Sequence, residues 1–275
     1  MVRAALLQMT TGIDPAANGR IIVDAVAAAR TGGAEMLFTP EMSGLLDRQR
    51  DRARSSIRAE SEDTVLVQVR EAAGRHGMWV HIGSLAVQRP DGMLANRAFV
   101  IDSSGEIRAR YDKMHMFDVD LASGETWRES SAYHPGDEAV TVETPVGRVG
   151  LAICYDLRFP ALFEALGRAR CDVITIPAAF TVPTGRAHWH LLQRARAVEA
   201  SAYVLSAAQV GRHQDGRETF GHSIVVDPWG EVILDMGGAL DGRGAGLGFV
   251  DLDFALIAEV RSQLPSLANR RPVAT

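Results

Sequence analysis

Short apolar runs and helix-periodic stretches alternate along this chain, and that alternation restricts it to an α/β architecture. Residues 3–8 read as a strand. Over 17–30, Ile22, Val26 and Ala29 fall on one helical stripe, which Gly32–Gly33 ends. Glu35–Thr39 reads as the next strand. Val65, Leu66, Val69 and Ala72 predict a second helix, stopped at Gly77, and Met78–Leu85 a strand after it. The stretch 97–111 predicts a hairpin turning at Asp102-Ser103-Ser104-Gly105.

The later half repeats the theme. Residues 140–154 read as two strands around a Pro145–Val146–Gly147 turn. Pro160 sits early in a helix carrying Leu162, Phe163 and Leu166. Residues 172–177 are a continuous apolar strand; Leu191, Leu192, Ala195 and Val198 mark a helix; 202–208 is another strand. A hairpin over 220–235 turns at Pro228–Trp229–Gly230, and 248–253 is a last strand. No Pro/Ser-rich spacer and no charge run divides the chain. The expectation is therefore one domain over 1–275, with 264–275 an aperiodic C-terminal tail that reaches towards a partner subunit.

Composition narrows the function classes. With 47% hydrophobic and 23% charged residues in 275, a core of normal size is available. The net charge of −5 and the absence of a basic block argue against a nucleic-acid partner. The apolar run in Met1–Gln8 is too short for a signal peptide, and no stretch approaches the roughly 20 apolar residues of a membrane helix. The expectation is a cytoplasmic protein with no membrane association. Two cysteines, Cys154 and Cys171, form neither a disulfide framework nor a CxxC knuckle.

Cys154 ends the apolar run Val149-Gly150-Leu151-Ala152-Ile153 and precedes Tyr155-Asp156-Leu157-Arg158-Phe159-Pro160. Free backbone N–H groups and a positive helix end at such a junction favour thiolate. Local context leaves two readings open, a nucleophile or a buried structural thiol. Cys171, between Arg170 and Asp172, has no polar cluster behind it. Glu41, in Phe38-Thr39-Pro40-Glu41, falls at the C-terminal edge of a strand, where open α/β sheets place ligand sites. It reads as a general base or as an ordinary cap or surface acid. Lys113, among Tyr111, Met114, Met116 and Phe117, reads as a fixed positive charge or as a snorkelling surface lysine.

Together the three segments resemble the nitrilase superfamily of carbon–nitrogen hydrolases: Pro40–Glu41, Lys113 with His115 and Phe117–Asp118, and Cys154 through Pro160, in the family's order. The resemblance covers nearly the whole chain. It is dense at Pro177-Ala178-Ala179-Phe180, Thr184–Trp189, Gly221-His222-Ser223 and Val226–Gly230. Ala208–His213 is similar to the Nit subgroup, above all its deaminated-glutathione amidase branch. One departure is Thr39, where leucine is commoner; a packing effect is expected there.

The resemblance implies a four-layer αββα sandwich, homodimeric or larger through one helical face. It implies Glu41 as base, Cys154 as nucleophile, and Lys113 with the Tyr155 backbone N–H as oxyanion donors. It implies Glu129, better placed than Glu125, as the acid holding Lys113 and the substrate amide. No cofactor or metal is implied, since thiol, base and oxyanion donors are all protein groups. The implied partner is a small-molecule amide.

Arg158, four residues after Cys154, is placed either to clamp a substrate carboxylate or to pair with Asp156. Phe180 and Thr184 complete the expected substrate-binding set. A carboxylate clamp implies an acid carrying an amide, such as an α-keto acid amide. Rival readings are an ω-amidase on 2-oxoglutaramate, an N-carbamoyl amidohydrolase, a true nitrilase, or a catalytically silent binding protein of the same fold. His188–Trp189–His190 does not form a metal motif, because i and i+2 point to different helix faces. Gly242–Gly248 precedes a strand and so is no dinucleotide loop. No GxSxG is present.

Overall fold

The computed structural model describes residues 1–120, 124 and 126–271. In chain order its strands are β1 (Val2–Gln8), β2 (Met36–Phe38), β3 (Trp79–Gln88), β4 (Leu94–Ile101), β5 (Ile107–Asp112), β6 (Asp118–Asp120), β7 (Thr126–Arg128) and β8 (Thr141–Thr144). Then follow β9 (Gly147–Leu151), β10 (Val173–Thr175), β11 (Tyr203–Ser206), β12 (Val210–Arg212), β13 (Glu218–Phe220), β14 (Ile224–Val226), β15 (Val232–Asp235) and β16 (Gly246–Leu252). The helices are α1 (Pro15–Thr31), α2 (Arg50–Ser56), α3 (Thr64–His76), α4 (Pro160–Arg168), α5 (Val182–Ala200) and α6 (Phe254–Gln263).

Local chemistry explains the boundaries. The Asp14 carboxylate caps α1 by accepting from the Ala16 N–H, with Pro15 behind it. Asp63 does the same for α3 through the Leu66 N–H. Gly77, at φ 60°, closes α3 in the left-handed conformation.

Two six-stranded sheets run β16-β1-β2-β3-β4-β5 and β15-β14-β11-β10-β9-β8. Period-2 alternation sorts side chains between layers. Ala4, Leu6, Met36, Phe38, Ala98 and Val100 of the first sheet pack with Val149, Leu151, Val173 and Val204 of the second. The intervening Ala5, Leu7, Leu37, Phe99 and Ile101 pack under Ile22 and Val26 of α1 and Leu66 and Val69 of α3. Leu162, Phe163 and Leu166 of α4 and Trp189, Ala197 and Ala200 of α5 cover the other sheet. The layers are thus αββα, and among the described residues no helix is long and apolar enough to cross a membrane.

The two sheets share one pattern. Read from β16 or from β8, successive pairings are antiparallel, parallel, parallel, antiparallel, antiparallel. β2 therefore corresponds to β10, and β1 to β9.

Two readings need correction. The stripe Leu191, Leu192, Ala195 and Val198 is not the buried face of α5; Gly185, Trp189, Gln193, Arg196, Ala197 and Ala200 are buried, while Leu191 is 67% exposed. The 220–235 hairpin is shorter, β14–β15, because Glu218–Phe220 pairs with β12.

Candidate active site

Glu41 is set by the turn that leaves β2. β3 carries a bulge, its register against β4 shifting between Ile82 and Leu85. The bulge turns backbone and hydroxyl groups towards that turn. Ser43 N–H donates to Ser84 O at 3.0 Å, and Met42 N–H to Ser84 Oγ at 2.9 Å. Thr39 Oγ1 accepts from the Gly83 N–H at 3.1 Å and meets Ser43 Oγ at 2.9 Å. The departure at Thr39 thus makes buried hydrogen bonds, where packing alone was expected. Gly83 is required: a Cβ there would lie 2.1 Å from Thr39 O. Glu41 itself is 4% exposed, with Oε2 accepting from the Ala179 N–H at 2.9 Å after β10.

Lys113 follows β5 directly and is 2% exposed. Its Nζ donates to Glu41 Oε1 at 3.0 Å and to Glu129 Oε2 at 2.8 Å. Glu129 opens a 3-10 turn after β7, and its Oε2 also accepts from the Phe117 N–H at 2.7 Å. Asn96, on β4, joins the two acids: its Nδ2 donates to Glu41 Oε1 at 3.0 Å and to Glu129 Oε1 at 3.1 Å. Glu125 lies outside the described residues.

Cys154 begins a 3-10 turn, Cys154–Arg158, after β9. Its N–H donates to Pro177 O at 2.9 Å, and its φ of 48° is in the left-handed region, unusual for a side-chain-bearing residue. Asp156 holds the turn. Its buried carboxylate accepts from the Ile153 N–H at 2.9 Å, the Tyr111 hydroxyl at 2.7 Å and the His115 N–H at 3.0 Å. The His115 ring stacks on Phe159 at 3.6 Å.

Burial alone pushes the Glu41 carboxyl up; Lys113, the Cys154 thiol and the Ala179 amide more than reverse this and hold it below the ordinary carboxylate range. Burial works against the Lys113 charge, but Glu129 and Glu41 keep its pKa well above the ordinary lysine range. Cys154 goes the other way. Burial and then the Glu41 charge push the thiol well above the ordinary range, offset only in part by Lys113. A thiolate was expected from the strand-to-helix context; the resting state is a thiol. α4 starts only at Pro160, so its positive end is not at the sulfur, and the neighbouring base is an anion. Carboxylate, ammonium and thiol in contact form a set that can move one proton and attack an electrophilic carbon.

Arg158 does not pair with Asp156. Its guanidinium lies over the rings of Phe180 (5.5 Å) and Tyr155 (5.9 Å) and 3.3 Å from His188 Nδ1. Among the described residues no carboxylate forms an ion pair with it. Phe180 is buried against Trp189, one residue after the amide that holds Glu41. Thr184 stands in the first turn of α5, not in the preceding loop, with its hydroxyl 2.7 Å from Thr181 Oγ1. Cys171 is apart from the cluster; burial pushes its thiol up to about 12. Asn96 and Asp156 were not singled out from sequence. A polar residue on the inward face of an apolar strand is the signal that marks Asn96.

The chain matches the carbon–nitrogen hydrolase family over residues 3–262. It is similar to a deaminated glutathione amidase of Yersinia enterocolitica, 38% identical over 98% of this chain and 93% of that protein. The Caenorhabditis elegans NitFhit structure superposes with a TM-score of 0.89 at 33% identity, covering 98% of this chain; this chain spans 65% of that longer one. A Glu-to-Gln variant of an amidase from Nesterenkonia sp. AN1, with acrylamide added at its active-site cysteine, gives a TM-score of 0.78 at 26% identity, over 96% of this chain and 98% of that one. With a family match over nearly its full length and a relative above a third identical, the chain belongs to the carbon–nitrogen hydrolases, as a Nit-type member of the nitrilase superfamily that hydrolyses carbon–nitrogen bonds other than peptide bonds.

Proposed function

We propose that this chain is an amidase for a small linear α-keto acid amide, deaminated glutathione being the first choice, and that it works through a Cys154 thioester. One observation carries the reading: Lys113 Nζ, Glu41 and Cys154 form one buried contact set. Glu41 takes the thiol proton as sulfur attacks the amide carbon. Lys113 Nζ and the Tyr155 N–H stabilise the oxyanion, at about 3 kcal/mol per donor. The amine or ammonia leaves with the proton returned by Glu41, and the acyl group stays on sulfur. Glu41 then takes a proton from water, the hydroxide attacks the thioester, and the acid departs with the thiol restored. Glu129 holds Lys113 and the substrate N–H.

Arg158, a cation over aromatic rings with no acidic partner among the described residues, supports the clamp for a substrate carboxylate. Phe180 forms the floor beneath it. Thr184, engaged with Thr181, is the weakest member of the substrate set. The relative named for deaminated glutathione supports the substrate choice. The same reading includes one hydrolase domain over 1–275 with 264–275 as its tail, a cytoplasmic location, and a homodimer. The exposed Leu191 and Val198, with Trp229 beside Gly230 against Val198, supply a face for the dimer.

The test is a panel of ω-amides that includes deaminated glutathione and 2-oxoglutaramate, with keto acid, amine, ammonia and carbon dioxide all measured. Cys154→Ala and Cys154→Ser are expected to lose about 10³-fold or more in rate with unchanged circular dichroism. Full activity in either variant ends the thioester reading. Preference for 2-oxoglutaramate with ammonia release favours an ω-amidase; carbon dioxide release favours a carbamoylase.

A further inference from the structure

Away from Cys154, three elements bring ligating side chains to one point on the surface. His190 comes from α5, His222 from the segment joining β13 to β14, and Asp235 from the end of β15. His190 Nε2 is 2.9 Å from Asp235 Oδ2, and His222 Nδ1 is 3.0 and 3.1 Å from the two Asp235 oxygens. One ligand atom from each residue lies within 4.8 Å of the others. The other face of His222 is also engaged, with Nε2 at 3.1 Å from Asp241 Oδ2. Stacking on Phe220, centroids 4.3 Å apart, fixes the His222 ring.

A neutral imidazole has one N–H and one lone pair. If Asp241 accepts the His222 Nε2–H, the Nδ1 lone pair faces the Asp235 carboxylate, a repulsive contact. A cation between them removes the conflict. Two aspartates with two neutral histidines carry two negative charges, which one divalent ion offsets. Ligands about 2.1 Å from an ion lie about 3.4 Å apart in tetrahedral and about 3.0 Å in octahedral geometry; the two histidine–Asp235 spacings of 2.9 and 3.0 Å therefore suit an ion after a small opening of the site. Imidazole donors select zinc, cobalt or nickel over calcium or magnesium. A carboxylate behind a histidine ligand is the usual outer support of such a site.

We propose that His190, His222 and Asp235 bind one divalent transition ion of the zinc class, with Asp241 orienting His222 from behind. The sequence hides this site, because His190 and Asp235 are 45 residues apart and His188, the apparent partner, turns instead to Arg158. The ion ties α5 to the β14–β15 hairpin and takes no part in the chemistry at Cys154. Its effect is on thermal stability, and on the seating of α5, which also carries His188 and Trp189.

The experiment uses the full, untagged chain after chelator treatment, as the Cys154→Ala variant so that the active-site sulfur cannot compete. Cobalt(II) is titrated and read by visible absorption, and zinc is counted by equilibrium dialysis. One ion per chain is expected at micromolar concentrations, with a raised melting temperature. His190→Gln and Asp235→Asn should each weaken binding by tenfold or more, and Asp241→Asn by about tenfold. His222→Asn, which tolerates the left-handed backbone at φ 56°, should abolish the cobalt spectrum. His190→Gln sits on the helix exterior, and a native melting curve certifies its fold. No ion bound at these concentrations, or unchanged binding in His190→Gln and Asp235→Asn, overturns the site.

Discussion

Asn96, like Lys113, touches both Glu41 and Glu129, and its bond to Glu41 bears on the ionisation of that base. The Nδ2–H donated to Glu41 favours its charged form. Asn96→Ala should therefore raise the Glu41 pKa and move the acid limb of the kcat/KM profile to higher pH. It should also lower kcat by about 10²-fold through misplaced groups. A pH–rate profile of the variant checks both; an unmoved acid limb would refute the ionisation argument. In the wild type Glu41 sits below the ordinary carboxylate range, so the base form, and the stability its pairing contributes, persist on acidification until the pH falls through that lowered value. Thr39→Val removes a buried hydroxyl that serves Gly83 and Ser43, and should cost about 1–3 kcal/mol in urea denaturation. At this scale the sequence was legible where a residue type sat in a family context: Glu41, Lys113, Glu129 and Cys154 were all named, and the geometry brings them together. Asn96 and Asp156 were not, because an amide in a strand and an acid in a turn have many ordinary uses. The protonation state of Cys154 was illegible for a different reason: it depends on the distance to a carboxylate from another strand.

The β3 bulge is the element on which Glu41 depends. Gly83→Ala drives a methyl into Thr39 O and Pro40 O, both backbone atoms that cannot yield cheaply. Loss of about 1–3 kcal/mol and a fall in kcat are expected together, measured by thermal melting and by turnover. Behind the bulge, His81 is buried between the sheets, and burial lowers its pKa to about 3. The unfolded chain takes that proton below about 6.5 and the folded one does not. Stability is therefore lost as pH falls from 6.5 towards 3, by about 1.4 kcal/mol for each unit between the two values. His81→Gln should flatten that acid slope; an unchanged slope in urea titrations would show another group responsible. Long apolar strands and capped helices were legible. The three-residue β6–β7 and β12–β13 hairpins were not, since their burial pattern is too short to carry a period. α5 was found but turned the wrong way, because its buried face includes Gln193 and Arg196 and its exposed face includes Leu191 and Val198.

On the scale of the molecule, the repeated sheet pattern places Glu41 and Ala179 at corresponding strand ends, β2 and β10, facing across the seam. The base is held by one half and steered by the other. The layer order was legible only through family resemblance, since strand pairing is set by long-range packing. The helical face for assembly was also implied that way, yet the exposed residues on it come from the structure. For the dimer proposed above, Leu191→Glu should yield monomers in light scattering while leaving the fold intact; an unchanged mass would refute assembly through this face.

The upward push on the Cys154 thiol has a consequence for its reactivity away from the amide. Peroxide and small electrophiles react with thiolates, and burial beside Glu41 disfavours that form of this sulfur. The protein should thus be slow to inactivate in dilute hydrogen peroxide.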